Sequence, residues 1–133
     1  MPRRHTGVLD TCAYIDLAHI DPLELPEIPE ITAVTLAELH QGVAMAKEAT
    51  SRAARAEKLA AAVADFDPLP FDANAASRYG TLVALTLTHG RDPKPRRLDL
   101  MIAAIASTQG MALFTRNAND FSGLEPALTV IAV

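Results

Sequence analysis

LDLMIAAIASTQGMALFT, residues 98–115, runs from an apolar stretch of helical character into a short β-forming one, with one carboxylate, Asp99, near its head. From Leu98 to Ala106 that aspartate stands alone among eight apolar residues. Such a run reads as a helix buried nearly all round, ending near Gly110 and feeding a strand at "ALFT" (112–115). A carboxylate on a buried helix is costly to desolvate without a partner. The remainder of the chain has to supply that partner.

The same alternation of strand and helix recurs toward the N-terminus. "TGVLD" (6–10) reads as a first strand and "TCAYIDLAHI" (11–20) as apolar residues at helical spacing. "DPLELPEIPE" (21–30), with three prolines and four acids, is a connector, and "ITAV" (31–34) a second strand. "TLAELHQGVAMA" (35–46) opens with T-x-x-E, as a helix does, and 47–66 is a long alanine-rich helix. "DPLPFD" (67–72) holds a short strand, after which Asp72 caps a helix running to Gly90. "RDPKPRR" (91–97) is a basic, proline-broken loop, "RNANDFSGL" (116–124) a polar loop, and "LTVIAV" (128–133) a last strand. The pattern predicts an α/β fold, a three-layer α/β/α sandwich around a mostly parallel sheet.

The chain has 133 residues, half of them hydrophobic, which suits one globular domain over 1–133. Its formal charge of −4 gives no bulk signal for nucleic acid, although a local basic rim can act alone. The one cysteine, Cys12, excludes an internal disulfide and is expected as a small buried residue under the sheet. No signal peptide or membrane-length apolar stretch is visible, so the expected location is the cytoplasm, with no membrane partner. The four histidines lack zinc-site spacing, and no phosphate-cradling glycine motif occurs.

In parallel sheets, ligands bind beyond the carboxyl ends of the strands. Asp10 lies at the end of the first predicted strand, Glu38 just after the second, Asp120 in the loop after "ALFT", and Asp99 at the head of its helix. These four acids can converge at one edge. Gathered carboxylates repel and resist ionising, and a hard cation such as Mg²⁺ or Mn²⁺ relieves them. Such a site can activate water and stabilise a displaced phosphate oxygen. Three of the acids also have local readings: Asp10 as a helix N-cap, Glu38 in a capping box with Thr35, and Asp120 in an Asx-turn. Asp99, on a helix apolar nearly all round, is the one for which a cap explains least.

The ordered set "VLDTCAYIDL", "TLAELHQG", "LDLMIAAIASTQGMALFTRNANDF" and "LTVIAV" resembles the PIN-domain nucleases, and within them the VapC-type toxins of VapBC toxin–antitoxin pairs. The resemblance spans nearly the whole chain. It implies a Mg²⁺- or Mn²⁺-dependent endoribonuclease, with Asp10 and Asp99 as metal ligands and Glu38 as the acid of the second helix. Some PIN proteins place the fourth acid where this chain has Asn117, whereas here the acid is Asp120, and either residue can complete the ring. Thr11 and Thr115 are implied hydrogen-bond partners of the carboxylates or of a phosphate. Water would attack in line, leaving a 5′-phosphate and a 3′-hydroxyl. Arg91, Lys94, Arg96, Arg97 and Arg116 flank the acids and could hold an RNA backbone, Arg116 being the best placed. The family also implies a homodimer and a VapB-type antitoxin as partner.

Two other classes compete. A PIN-like module could bind RNA or protein without cutting, although the intact acid set argues otherwise. A haloacid-dehalogenase-type phosphatase needs D-x-D after the first strand, where this chain has Asp10-Thr11-Cys12. A receiver domain needs paired early acids and a late lysine, and neither is present.

Overall fold

The computed structural model describes residues 3–133. Four strands, β1 (Thr6–Leu9), β2 (Ile28–Glu30), β3 (Ala112–Thr115) and β4 (Val130–Ala132), form one sheet in the order β2-β1-β3-β4. Every pairing is parallel, with Val8 opposite Leu113 and Phe114 opposite Ile131. The helices are α1 (Thr11–Ile15), α2 (Ala33–Ala44), α3 (Ala49–Asp65), α4 (Ala73–Thr88) and α5 (Arg97–Thr108).

Side chains alternate across a strand, and here successive residues enter two different cores. Val8 and Leu113 join Leu82 of α4 and Leu100, Ile102 and Ile105 of α5 on one face. Leu9, Ala112 and Phe114 join Tyr14 of α1, Leu39 of α2 and Ala62 of α3 on the other. A sheet apolar on both faces needs helices on both, which gives the three layers expected from the sequence. Helix α5 is the most deeply set, with Leu100 and all of Ile102–Ala106 buried.

The boundaries differ in one place that matters for the acids. The second strand is Ile28–Glu30, earlier than the expected 31–34, and Pro29 is tolerated there because β2 is an edge strand. Thr32 then caps α2, its Oγ1 accepting from Thr35 N at 3.2 Å, so the Thr35–Glu38 capping box does not form. Thr35 is instead a buried residue inside the helix. The strand expected within 67–72 is a single bridge between Leu69 and Thr32. The N-cap at Asp72 and the helix ends near Gly90 and Gly110 fall where expected. The 11–20 segment makes one short helix, then a 3-10 turn over Leu17–His19.

Cys12 is exposed, contrary to the expectation of burial. Helix α1 turns Thr11, Ala13 and Tyr14 inward, which leaves Cys12 on its outer side.

Gly7 lies where β1 passes under Phe114, and a Cβ there would stand 2.3 Å from the Phe114 ring. That ring is itself buried in the sheet core, with little room to move. Gly7→Ala is therefore expected to cost about 1–3 kcal/mol through overpacking, read as a lower urea midpoint with an unchanged slope.

Candidate active site

Because β1 and β3 are parallel neighbours, both end at the same edge, and the residues just past them meet. Asp10 follows β1 and is 4% exposed. Its Oδ1 accepts from Ala13 N at 2.8 Å, so it does cap α1 as one reading held. Its Oδ2 accepts from Thr115 Oγ1, at the end of β3, at 2.5 Å. Thr115 in turn accepts from Asn117 N at 2.9 Å. The cap and the site are thus one arrangement: the bonds that end the strands also aim the carboxylate.

Glu38 is held from α1. Thr11 Oγ1 donates to Glu38 Oε1 at 2.7 Å and lies 3.0 Å from Thr35 Oγ1. With its own proton committed to Glu38, Thr11 accepts from Thr35, giving a Thr35–Thr11–Glu38 relay between buried hydroxyls and a half-buried acid. Thr35 was missed as a site residue because its spacing to Glu38 also fits a capping box. What makes it available is the earlier start of α2, at Ala33 in place of the expected Thr35.

Asp99 sits in the first turn of α5 and Asp120 in the 3-10 turn Ala118–Phe121 after β3. Burial, and then the charges of Asp120, Asp10 and Glu38, push the Asp99 carboxyl up to about 6, with Arg96 the cation that eases it. Asp10 is raised too, by burial and by Asp120, against the hydrogen bonds from Thr115 and Ala13. The charges of the other three predicted acids therefore reach Asp99, and that of Asp120 also reaches Asp10. Of the two candidates for the fourth position, Asp120 contributes the charge, whereas Asn117 contributes a backbone N–H to Thr115.

The flanking groups divide. Arg116 Nε lies 3.6 Å from Asp16 Oδ2 in a partly exposed pair. Arg91, one of the flanking cations, donates from Nη1 to the Asn119 carbonyl at 2.5 Å and so braces the loop that carries Asp120. The same loop passes His89 at Gly123, whose φ of +91° and 2.6 Å clearance to the His89 ring admit only glycine. Although Cys12 reaches the surface, its thiol is pushed up by partial desolvation and by the carboxylates of Asp10, Asp99, Glu38 and Asp16, which disfavours a thiolate nucleophile.

The donor set is one of oxygens: carboxylates braced by hydroxyls and backbone N–H. That chemistry fits a hard divalent cation. Among the described residues no three His, Cys, Asp or Glu side chains gather tightly enough to enclose an ion. Mg²⁺ commonly takes one or two carboxylates and completes its shell with water, so it does not require a closed cluster, and Asp10 and Asp99 are the residues that would hold it.

The comparisons bear directly on this constellation. The PIN domain family model matches residues 8–124. Ribonuclease VapC5 of Mycobacterium tuberculosis is 36% identical over 127 residues, covering 93% of this chain and 91% of that protein. A crystal structure of a VapBC family member, VapBC-5 from the same organism, superposes with a TM-score of 0.86, covering 97% of this chain and 99% of that one. FitAcB from Neisseria gonorrhoeae superposes at 0.71 with 26% identity, over 93% of this chain and 95% of that one. The residues that build the acidic edge, from Asp10 to Asp120, all lie inside the matched segment, and this chain belongs to the PIN-domain family, among relatives that are VapC-type toxins of VapBC toxin–antitoxin systems.

Proposed function

We propose that this protein is a Mg²⁺- or Mn²⁺-dependent endoribonuclease and the toxin of a type II toxin–antitoxin pair, with residues 1–133 acting as one domain. The observation that carries the reading is the gathering of Asp10, Glu38 and Asp120 around Asp99, whose carboxyl is pushed up to about 6 by its burial first and by the charges of the other three second. Family membership and the likeness to a ribonuclease support the reaction class.

Asp10 and Asp99 would hold the cation. When bound, it supplies Lewis-acid stabilisation of the phosphate charge and lowers the pKa of the attacking water. The chain's own residues do the rest. Thr115 and the Ala13 N–H fix both oxygens of Asp10, so the carboxylate is oriented before substrate arrives. The Thr35–Thr11 relay orients Glu38. Glu38 or Asp120 positions the water and accepts its proton. In-line attack breaks the P–O3′ bond and leaves a 5′-phosphate and a 3′-hydroxyl. Arg116 and Asn117 meet the RNA at the rim. The Arg116–Asp16 pair is exposed and weak enough for a phosphate to replace Asp16.

An antitoxin is the proposed protein partner, as the VapBC relatives are toxin–antitoxin complexes by name. A groove of about 1080 Å³ between α1, α2 and α3, lined by Tyr14, Leu39 and Phe66 and also by Glu38, has the form that receives an amphipathic helix. A homodimer is proposed with it, since α3 leaves Val63 58% exposed on an alanine-rich face. Among the described residues no helix is long and apolar enough to cross a membrane.

Asp99→Asn tests the reading. It is expected to abolish Mg²⁺-dependent cleavage of RNA while the chain stays folded. Unchanged cleavage would overturn the proposal, and RNA binding that persists in chelator with no product from the wild type would make the protein a non-catalytic module.

The same variant has a thermal signature. Folded Asp99 keeps its proton up to about pH 6, whereas its ordinary value is 3.8. The folded state is therefore favoured by protonation at low pH, and this contribution is lost as pH rises through about 6. Without metal at pH 7.5, Asp99→Asn is expected to melt a few degrees higher, on the order of 1 kcal/mol after solvent screening, with the gain fading toward pH 4. Mg²⁺ is expected to raise the melting temperature of the wild type and not of the variant.

Thr115→Val removes the proton donor to Asp10 at constant shape. It is expected to lower cleavage by about 10–100-fold and to raise the Mg²⁺ concentration for half activity, checked by metal titration of the initial rate.

A further inference from the structure

The charge of this chain is −4 overall, yet Arg91, Lys94, Arg96 and Arg97 fall within one seven-residue stretch, a third of its 12 lysines and arginines. Arg91 is committed to the Asn119 carbonyl and Arg96 lies beside Asp99. Lys94 and Arg97 have no such assignment. Among the described residues the ion pairs are His5–Glu27 and Arg116–Asp16, and neither Lys94 nor Arg97 forms one. Both are exposed, and both line a polar pocket of about 320 Å³ that Glu38 and Asp99 also line.

The backbone holding these cations is fixed. Pro93 and Pro95 lock φ on either side of Lys94, and Asp92 Oδ1 accepts from Lys94 N at 3.0 Å, starting the 3-10 turn Lys94–Arg96 that leads into α5. Arg97 is the first residue of α5, and Asp99 lies two residues on. One corner of the backbone therefore brings two cations and a site carboxylate to the same pocket. A preorganised cation loses less on binding than a mobile one.

We propose that Lys94 and Arg97 form a phosphate subsite that grips the RNA phosphodiester next to the one being cut. This deepens the ribonuclease reading and rests on it. A substrate laid across the pocket meets acids at the phosphate under attack and cations at its neighbour. The neighbour supplies binding energy at a site whose own charge would otherwise repel the strand. The two cations are thus binding and positioning residues, and they set a minimum substrate: two linked phosphodiesters.

The test compares the wild type with Lys94→Gln/Arg97→Gln in the full chain, using a fluorescein-labelled single-stranded RNA containing one cleaved bond. The double variant is expected to raise KM about tenfold with kcat within twofold, and to flatten the salt dependence of RNA binding by about 0.7 in log–log slope, the value for one lost phosphate contact on a single strand. RNA with a single uncharged methylphosphonate beside the cleaved bond is expected to lose the same factor with the wild type and nothing further with the variant. Lys94→Arg/Arg97→Lys is expected to restore KM. Unchanged KM and unchanged slope in a folded double variant overturn the subsite while leaving the ribonuclease reading intact. A wild type that binds RNA without cutting removes that reading, and the salt slope of binding then still decides the subsite: a flatter slope in the variant supports it and an equal slope overturns it.

Discussion

The structure depends on like charges being held together at one edge of a parallel sheet. Repulsion alone would spread Asp10, Glu38, Asp99 and Asp120, and each is kept in place by an element that has other reasons to be where it is. Asp10 is tied between the start of α1 and the end of β3. Asp99 rides on α5, whose following residues Ile102–Ala106 are fully buried. Glu38 is bound to Thr11, and Asp120 sits in a short turn braced by Arg91. Packing of two apolar cores sets these positions, and the stability of that packing absorbs the electrostatic cost.

The result is a site whose carboxylates have few ways to be satisfied within the chain. Hydrogen bonds from Thr115, Ala13 and Thr11 meet part of their need, and Arg96 partly offsets Asp99. These bonds orient the acids without neutralising them. A divalent cation would do both at once, which connects the strain of the acids to the proposed chemistry.

Much of this was legible in the residues. The apolar run after Asp99 has to be a buried helix, and strands alternating with helices along the chain call for a parallel sheet with helices packed on it. Asp10 and Asp120 just past strand ends, with Asp99 at the head of its helix, follow from those positions. What the sequence did not disclose was settled by tertiary choices. The shift of β2 to Ile28–Glu30 depends on an edge strand accepting Pro29, and it moves the helix cap from Thr35 to Thr32. That shift turned Thr35 from a cap into a partner of Thr11. Cys12 came out exposed because a short helix has one outer side, and a lone cysteine carries no periodicity to locate it. Both candidates for the last position of the site lie in one loop, where the charge of Asp120 bears on Asp99 and the Asn117 backbone N–H donates to Thr115.

The central claim is that the acids share one field that a divalent cation relieves. The most direct measurement is the titration of the Asp99 side-chain carboxyl carbon by NMR, with and without Mg²⁺. We expect a midpoint near 6 in chelator and a fall below the ordinary 3.8 when Mg²⁺ saturates the site. A midpoint near 3.8 in chelator, or one that Mg²⁺ leaves unmoved, would contradict it.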